Sequence, residues 1–268
     1  MMKISLIIST YNRPSALKLC LESVKRQNRL PDEVIIGDDG SGDETAALIR
    51  EFQKDFPVPL LHVWQEDKGF RAAKSRNNGI KVSSGDYIVF IDGDILLDRR
   101  FIRDHHFFAC KNRFVQGRRV HLSESRTREI VDSMTVPSLN FFSRGVRLNR
   151  VHLIHSGFFR DLYGRKKKTQ KGESLISANI GVWKEDLLRV NGFNEEFIGW
   201  GREDSELGVR MMNAGIKIRF LKFAAIGIHL YHQENRFFNE RAQELLDRAI
   251  ETKMTWCDKG LIKKDMAD

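Results

Sequence analysis

The sequence predicts an α/β fold, a mostly parallel central sheet flanked by helices, with an extension packed against it in the second half. Three observations carry this. Short apolar, β-branched runs alternate with amphipathic stretches over roughly the first hundred residues; turn-forming residues separate them; and 268 residues bury one large core without disulfide staples.

Residues 3–9 read as a buried strand, because Ile4, Leu6, Ile7 and Ile8 form an apolar run that ends in Ser-Thr-Tyr-Asn. Pro14 opens a helix in its first turn, where a missing N–H costs nothing, and Leu17, Leu21 and Val24 give its apolar face. Residues 33–37 follow as a strand, 43–54 as a helix capped near Ser41 or Asp43, 60–64 as a strand, and 71–82 as a helix. The strand at 86–91 runs directly into Asp92-Gly93-Asp94. After about Pro137 the alternation is lost until Ser174. Beyond it come a strand at 176–182, a helix from Lys184, another at 203–214, and a closing amphipathic helix near 240–255. The whole is expected to be one domain, 1–268, with halves 1–98 and 99–268.

Ligands of parallel α/β sheets bind beyond the carboxyl ends of the strands. Thr10-Tyr11-Asn12, Asp38-Asp39-Gly40-Ser41 and Asp92-Gly93-Asp94 each follow a strand, so all three are expected at one rim. Two carboxylates one residue apart can take a hard divalent cation, while Gly93 lets the backbone approach closely. Asp38 or Asp39 can accept from a pyrimidine ring or ribose, although one of them can instead cap the turn. Arg71, Lys74 and Arg76, near a helix start, can meet an anion; Lys74 equally suits an exposed helix face.

Downstream, Gly199-Trp200-Gly201-Arg202-Glu203-Asp204 sets an aromatic ring beside an acidic pair. Trp200 suits either a sugar platform or the core. Glu203 and Asp204 suit either hydroxyl binding, with Asp204 as general base, or the helix dipole. In His229-Leu230-Tyr231-His232, His232 is the first choice as a further metal ligand and His229 the second.

A net charge of +9 favours anionic partners without choosing among nucleic acid, phosphorylated substrates and an acidic membrane surface. Arg165 to Lys168 with Lys171 reads as a solvated loop, or as a contact for an anionic acceptor or a membrane. No helix-turn-helix, zinc or RNA-binding aromatic motif supports nucleic acid. Cys20, Cys110 and Cys257 lack zinc or disulfide spacing, so a reduced compartment is expected. The first apolar run is too short for a signal or a span. A cytoplasmic chain is expected, with peripheral contact at the inner membrane face left open.

With these motifs assembled, the chain resembles family 2 glycosyltransferases of the nucleotide-sugar-binding, GT-A type. The amino half carries ISTYNRPSAL, VIIGDDGSGDET, GFRAAKSRNNGI and GDYIVFIDGDILL. SANIGVWKEDLLRVNGFNEEFIGWGREDSELGVRMMNAG with HLYHQE resembles bacterial chondroitin and hyaluronan polymerases and β-1,4-galactosyltransferases. The resemblance covers about residues 3–98 and 174–234, leaving 101–173 unmatched. It implies an inverting, metal-dependent transfer from a UDP-sugar to a hydroxyl of a glycan or lipid-linked saccharide, with Mn2+ preferred and Mg2+ the alternative. Donor contacts would come from Thr10, Tyr11, Arg13, Asp38, Asp39, Arg71, Asp92 and Gly93. Asp92, Asp94 and His232 would serve the metal, Trp200 and Glu203 the acceptor, and Asp204 would be the base. Ile198 and Arg202 depart from the galactosyltransferase WGWGGED, so the sugars are not carried over. Addition of a single sugar is expected over polymerisation. The competing reading is a nucleotide-sugar binder without activity, which retention of both acidic sets opposes.

Overall fold

The computed structural model describes residues 2–156, 175–233 and 239–263. Four strands of the main sheet come from the first hundred residues: β1 (Ile4–Thr10), β2 (Glu33–Asp38), β3 (Leu60–Trp64) and β4 (Tyr87–Asp92). They are parallel and lie in the order β3-β2-β1-β4. The sheet continues through β9 (Asn179–Trp183), β6 (Arg113–Gln116) and β10 (Lys217–Phe220). Only β9 is antiparallel to its neighbours β4 and β6, so the sheet is mostly parallel, as the alternation predicted.

The strands are apolar on both sides because helices cover both faces. On one face Leu6, Ile8, Val34, Ile36 and Val89 pack on α1 (Pro14–Lys25) and α2 (Asp43–Gln53). On the other, Ile7, Ile35, Ile88 and Phe90 meet α3 (Ala72–Val82) and α7 (Glu203–Asn213). Gly181 in β9 is required by close approach, since a Cβ there would lie 2.3 Å from Tyr87 Oη and 2.6 Å from His105 Nδ1.

A second sheet, β5 (Ile95–Leu97), β11 (Ile226–His229), β7 (Arg118–Leu122) and β8 (Val146–Leu148), stands beside the first. Its apolar side, Leu96, Val120, Leu122, Ile226 and Ile228, packs on α5 (Glu124–Ser133) and on Ala16 and Leu19 of α1. The remaining helices are α4 (Phe101–Phe108), α6 (Lys184–Arg189) and α8 (Glu240–Glu251).

Two expectations are corrected. The α2 N-cap is Gly42 rather than Ser41 or Asp43, because the Ser41 hydroxyl instead accepts from the Asn12 N–H at 2.9 Å. The closing helix stops at Glu251, with the Met254 N–H returning to the Ala249 carbonyl. From Phe101 to Leu153, where no motif was matched, the chain holds α4, β6, β7, α5, β8 and a short 3-10 turn, Arg150–Leu153. The basic run at Arg165 to Lys168 lies outside the described residues. Among the described residues, the three cysteines are free and no helix is long and apolar enough to cross a membrane.

Candidate active site

Register explains why the three motifs meet. Thr10 lies opposite Asp38, and Ser9 opposite Asp92, so the carboxyl ends of β1, β2 and β4 form one rim. Asn12 at φ 46° ties two of the turns together, its side-chain oxygen accepting from the Gly42 N–H at 2.9 Å. Gly93 sits against β1, where a Cβ would come 3.1 Å from the Ser9 carbonyl oxygen.

The paired aspartates of β2 differ. Asp38 is fully buried; it accepts from the Ser41 N–H at 2.8 Å and meets His62 Nε2 at 2.8 Å. Burial opposes its ionisation, but hydrogen bonds from His62 and Ser41 prevail and hold the carboxyl below its ordinary value. Asp39 accepts from Gln65 Nε2 at 2.5 Å and from the Arg71 N–H at 2.7 Å, and burial raises its pKa. Each Asp39 oxygen keeps a lone pair for a second donor. The Arg71 guanidinium turns back to the Glu66 carbonyl, and Tyr11 donates its hydroxyl to Asp67 at 2.8 Å.

Asp92 and Asp94 face different partners. Asp92 is held by Arg76 at 3.3 Å, with Arg119 4.0 Å away. Asp94 is buried beside Arg13 at 2.6 Å, His232 at 3.4 Å and His229 at 3.6 Å. The second sheet explains this convergence. His229 pairs with Ile95, the residue after Asp94, and the Leu230 N–H donates to the Asp94 carbonyl at 3.0 Å. Burial, then the charge of Asp92, pushes the Asp94 carboxyl up to about 6. Burial and Arg119 lower His229 to about 4, leaving a neutral imidazole with a free lone pair.

One ligand atom each from Asp94, His229 and His232 lies within 4.8 Å of the others. Asp94 Oδ1 is buried without a hydrogen-bond partner among the described residues. One carboxylate and two imidazoles in this arrangement fit a divalent cation.

The acidic pair opens α7, where tight turns with positive φ at Gly199, Gly201 and Arg202 redirect the chain. Glu203 accepts from Arg76 at 2.9 Å through Oε1, while Oε2 is buried without a partner. Arg76, only 5% exposed, therefore joins the Asp92 carboxylate to the Glu203 carboxylate. Asp204 accepts from the Ser177 N–H at 3.1 Å and the Ser205 N–H at 2.7 Å. Burial, then the Glu203 charge, pushes its carboxyl up to about 7. Trp200 is 49% exposed, which removes it from the core. Lys74, on α3, is half-buried, and no ion pair holds it among the described residues.

Sequence reasoning passed over Arg119 and His121, whose ring lies 5.0 Å from that of His229. Their signal was the period-two pattern of β7, in which Val120 and Leu122 enter the core and Arg119 and His121 do not.

A family model described as glycosyl transferase family 2 matches residues 5–166, and one described as the N-terminal domain of galactosyltransferase matches 164–233. Most of the stretch 101–173, which the sequence motifs left unmatched, thus falls within the first. The chain is 28% identical over 240 residues to a validoxylamine A glucosyltransferase of Streptomyces hygroscopicus subsp. limoneus, covering 80% of this chain and 48% of that one. It is 27% identical over 250 residues to the hyaluronan synthase of Pasteurella multocida, covering 86% and 24% respectively. The chain thus spans about half of the first relative and about a quarter of the second. Among solved structures, S. aureus TarS 1-349 in complex with UDP-GlcNAc aligns with a TM-score of 0.69 at 17% identity, covering 94% of this chain and 66% of that one.

Proposed function

The chain belongs to glycosyl transferase family 2 and has the GT-A fold, and on that premise we propose that it moves a sugar from a UDP-sugar to a hydroxyl of a glycan or lipid-linked saccharide, with inversion, as one catalytic domain. The observation that carries the reading is the Arg76 bridge, which fixes the carboxylate at the end of β4 against the acidic pair opening α7.

In this reading the nucleoside lies over the ends of β1 and β2, where Asp39 accepts from ribose or base and Thr10, Tyr11 and Arg71 border it. Asp38 holds the turn that presents Asp39. Asp94, His229 and His232 would hold a divalent cation. Two imidazoles beside a single carboxylate favour Mn2+ over Mg2+, which prefers oxygen ligands. A cation held there would supply positive charge for a leaving diphosphate, and Arg13 and Arg119 place theirs beside Asp94 and Asp92. Trp200 offers its exposed ring to the apolar face of a sugar, and Glu203 directs its unpartnered Oε2 to an acceptor hydroxyl. Asp204 takes the proton of the attacking hydroxyl as that oxygen bonds the anomeric carbon and the nucleoside diphosphate departs. A carboxylate raised to about 7 is matched to this work near neutral pH.

Asp204→Asn tests the assignment: turnover should fall by roughly 10²- to 10⁴-fold while UDP binding, followed by calorimetry, stays within about twofold. Undiminished turnover would remove Asp204 as the base. A wild-type chain that binds UDP but turns over no donor with any acceptor would favour the inactive binder.

A further inference from the structure

Arg13 follows Thr10-Tyr11-Asn12 beyond the end of β1 and is the N-cap residue of α1, yet its side chain makes no capping hydrogen bond. The guanidinium instead donates to Asp94 Oδ2 at 2.6 Å, across 81 residues of sequence. His232 Nε2 approaches the same oxygen at 3.4 Å. Arg13 and a proposed cation ligand therefore share one carboxylate atom. A guanidinium in that place takes up a lone pair and repels a metal ion from it.

The surrounding charges are already matched. Asp94 faces Arg13, while Asp92 faces Arg76 and Arg119, and Glu203 shares Arg76. A divalent cation arriving alone would bring further positive charge against Arg13. A diphosphate arriving alone would meet Asp92 and Asp94. Arriving together, the two largely cancel each other. Arg13 also has room to leave Asp94. Its side chain is 37% exposed, Asp94 is its sole ion-pair partner among the described residues, and it borders a cleft of about 390 Å³ with Thr127, Val131, Tyr231 and Gln233. The backbone need not follow, because the Arg13 carbonyl stays with the helix, accepting from the Leu17 N–H at 3.0 Å.

We infer that Arg13 is a positioning residue that stands in the cation's place on Asp94 in the nucleotide-free chain and exchanges that carboxylate for the nucleotide's diphosphate, so that cation and nucleotide bind as a pair. The inference rests on the proposed transfer from a UDP-sugar and goes beyond it by setting the order in which the site fills. A ligand whose binding-competent state is only partly populated loses apparent affinity in proportion. Arg13 on Asp94 imposes that loss on a cation that comes alone. A diphosphate relieves it by offering the guanidinium another anion.

Calorimetry on the full chain at pH 8 tests it, with Mn2+ titrated in the presence and absence of UDP, and UDP in the presence and absence of Mn2+. The proteins are wild type, Arg13→Met and Arg13→Lys, with melting temperatures to show that the variants fold. In wild type UDP should tighten Mn2+ binding about tenfold or more, and Mn2+ should tighten UDP binding by the same factor, since coupling between two ligands is reciprocal. Without UDP, Arg13→Met should bind Mn2+ about tenfold more tightly than wild type, and its coupling factor should fall correspondingly. Arg13→Lys keeps the charge and should restore most of the coupling. A merely structural role for Arg13 gives the opposite sign, a loss of Mn2+ affinity on its removal. Unchanged or weaker Mn2+ binding by Arg13→Met without UDP overturns the inference, as does wild-type Mn2+ binding that UDP leaves unaltered. In both cases UDP binding leaves the donor assignment standing. Failure of wild type to bind UDP with or without Mn2+ would strike the donor assignment, and the inference with it.

Discussion

Asp204 and Asp94 owe their unusual protonation to burial beside another carboxylate, Glu203 in one case and Asp92 in the other. Because the Asp204 carboxyl is raised to about 7, the base form is gained as pH rises through 7 and lost below it. The rate of transfer at saturating substrates should therefore fall about tenfold per unit of pH on the acid side of 7 and level off above it. A profile flat from pH 5 to 8 would remove Asp204 from the rate-limiting proton transfer. For the cation, Mn2+ titration of His229→Ala and His232→Ala should show losses of affinity on the order of tenfold or more in each, since the two imidazoles flank the same carboxylate. Loss in only one variant would reduce the set to two protein ligands. Sequence alone made Asp94 and both histidines candidates but ranked the histidines unequally. The pairing of His229 with Ile95 is what brings both to Asp94, and a three-residue strand such as β5 leaves no periodic trace. The aspartates of β2 were similarly ambiguous until hydrogen bonds separated them: Asp38 turns inward to Ser41 and His62, and Asp39 meets Gln65 and Arg71.

At the scale of elements, α3 does more than cover the sheet. Its Arg76 was read from sequence as a group facing an anionic ligand, yet it is buried between Asp92 and Glu203 and lies 5.4 Å from the Phe193 ring centroid. Position on the helix could not reveal this, because both partners are distant in sequence and belong to other elements. Removing the charge leaves two carboxylates facing each other without their shared partner. Arg76→Met should lower unfolding stability by about 3–5 kcal/mol in urea titration, the usual cost of breaking a buried ion pair from one side. It should also depress turnover in the folded fraction. A loss under about 1 kcal/mol would mean that water replaces the guanidinium. The strands β1, β2 and β4 were legible because burial on both faces demands continuous apolar runs. Those of the second sheet were less so: β5 and β8 have three residues each, and β8 is largely exposed.

For the whole molecule, the amino half could be read nearly strand by strand, while the other half depended on pairings between segments far apart in the chain. β9 joins β4 on one side and β6 on the other, and it runs against both. Strands β3, β2, β1 and β4 need nothing beyond Asp92 to form a contiguous parallel layer. β9 must then travel back across some ninety residues of chain before β6 and β10 have anything to extend. Long-range pairings of this kind are slow to form. Pulsed hydrogen exchange during refolding should therefore protect the amides of β1, β2 and β4 before those of β6, β9 and β10. Gly181→Ala, which sets a methyl against Tyr87 and His105, should retard only the later phase. Simultaneous protection of both groups would contradict this order. On a ribosome, where the amino end emerges first, the layer proposed to hold the nucleotide can close while the residues proposed to hold the acceptor are still being made. One backward strand then decides when a half-assembled protein becomes a complete one.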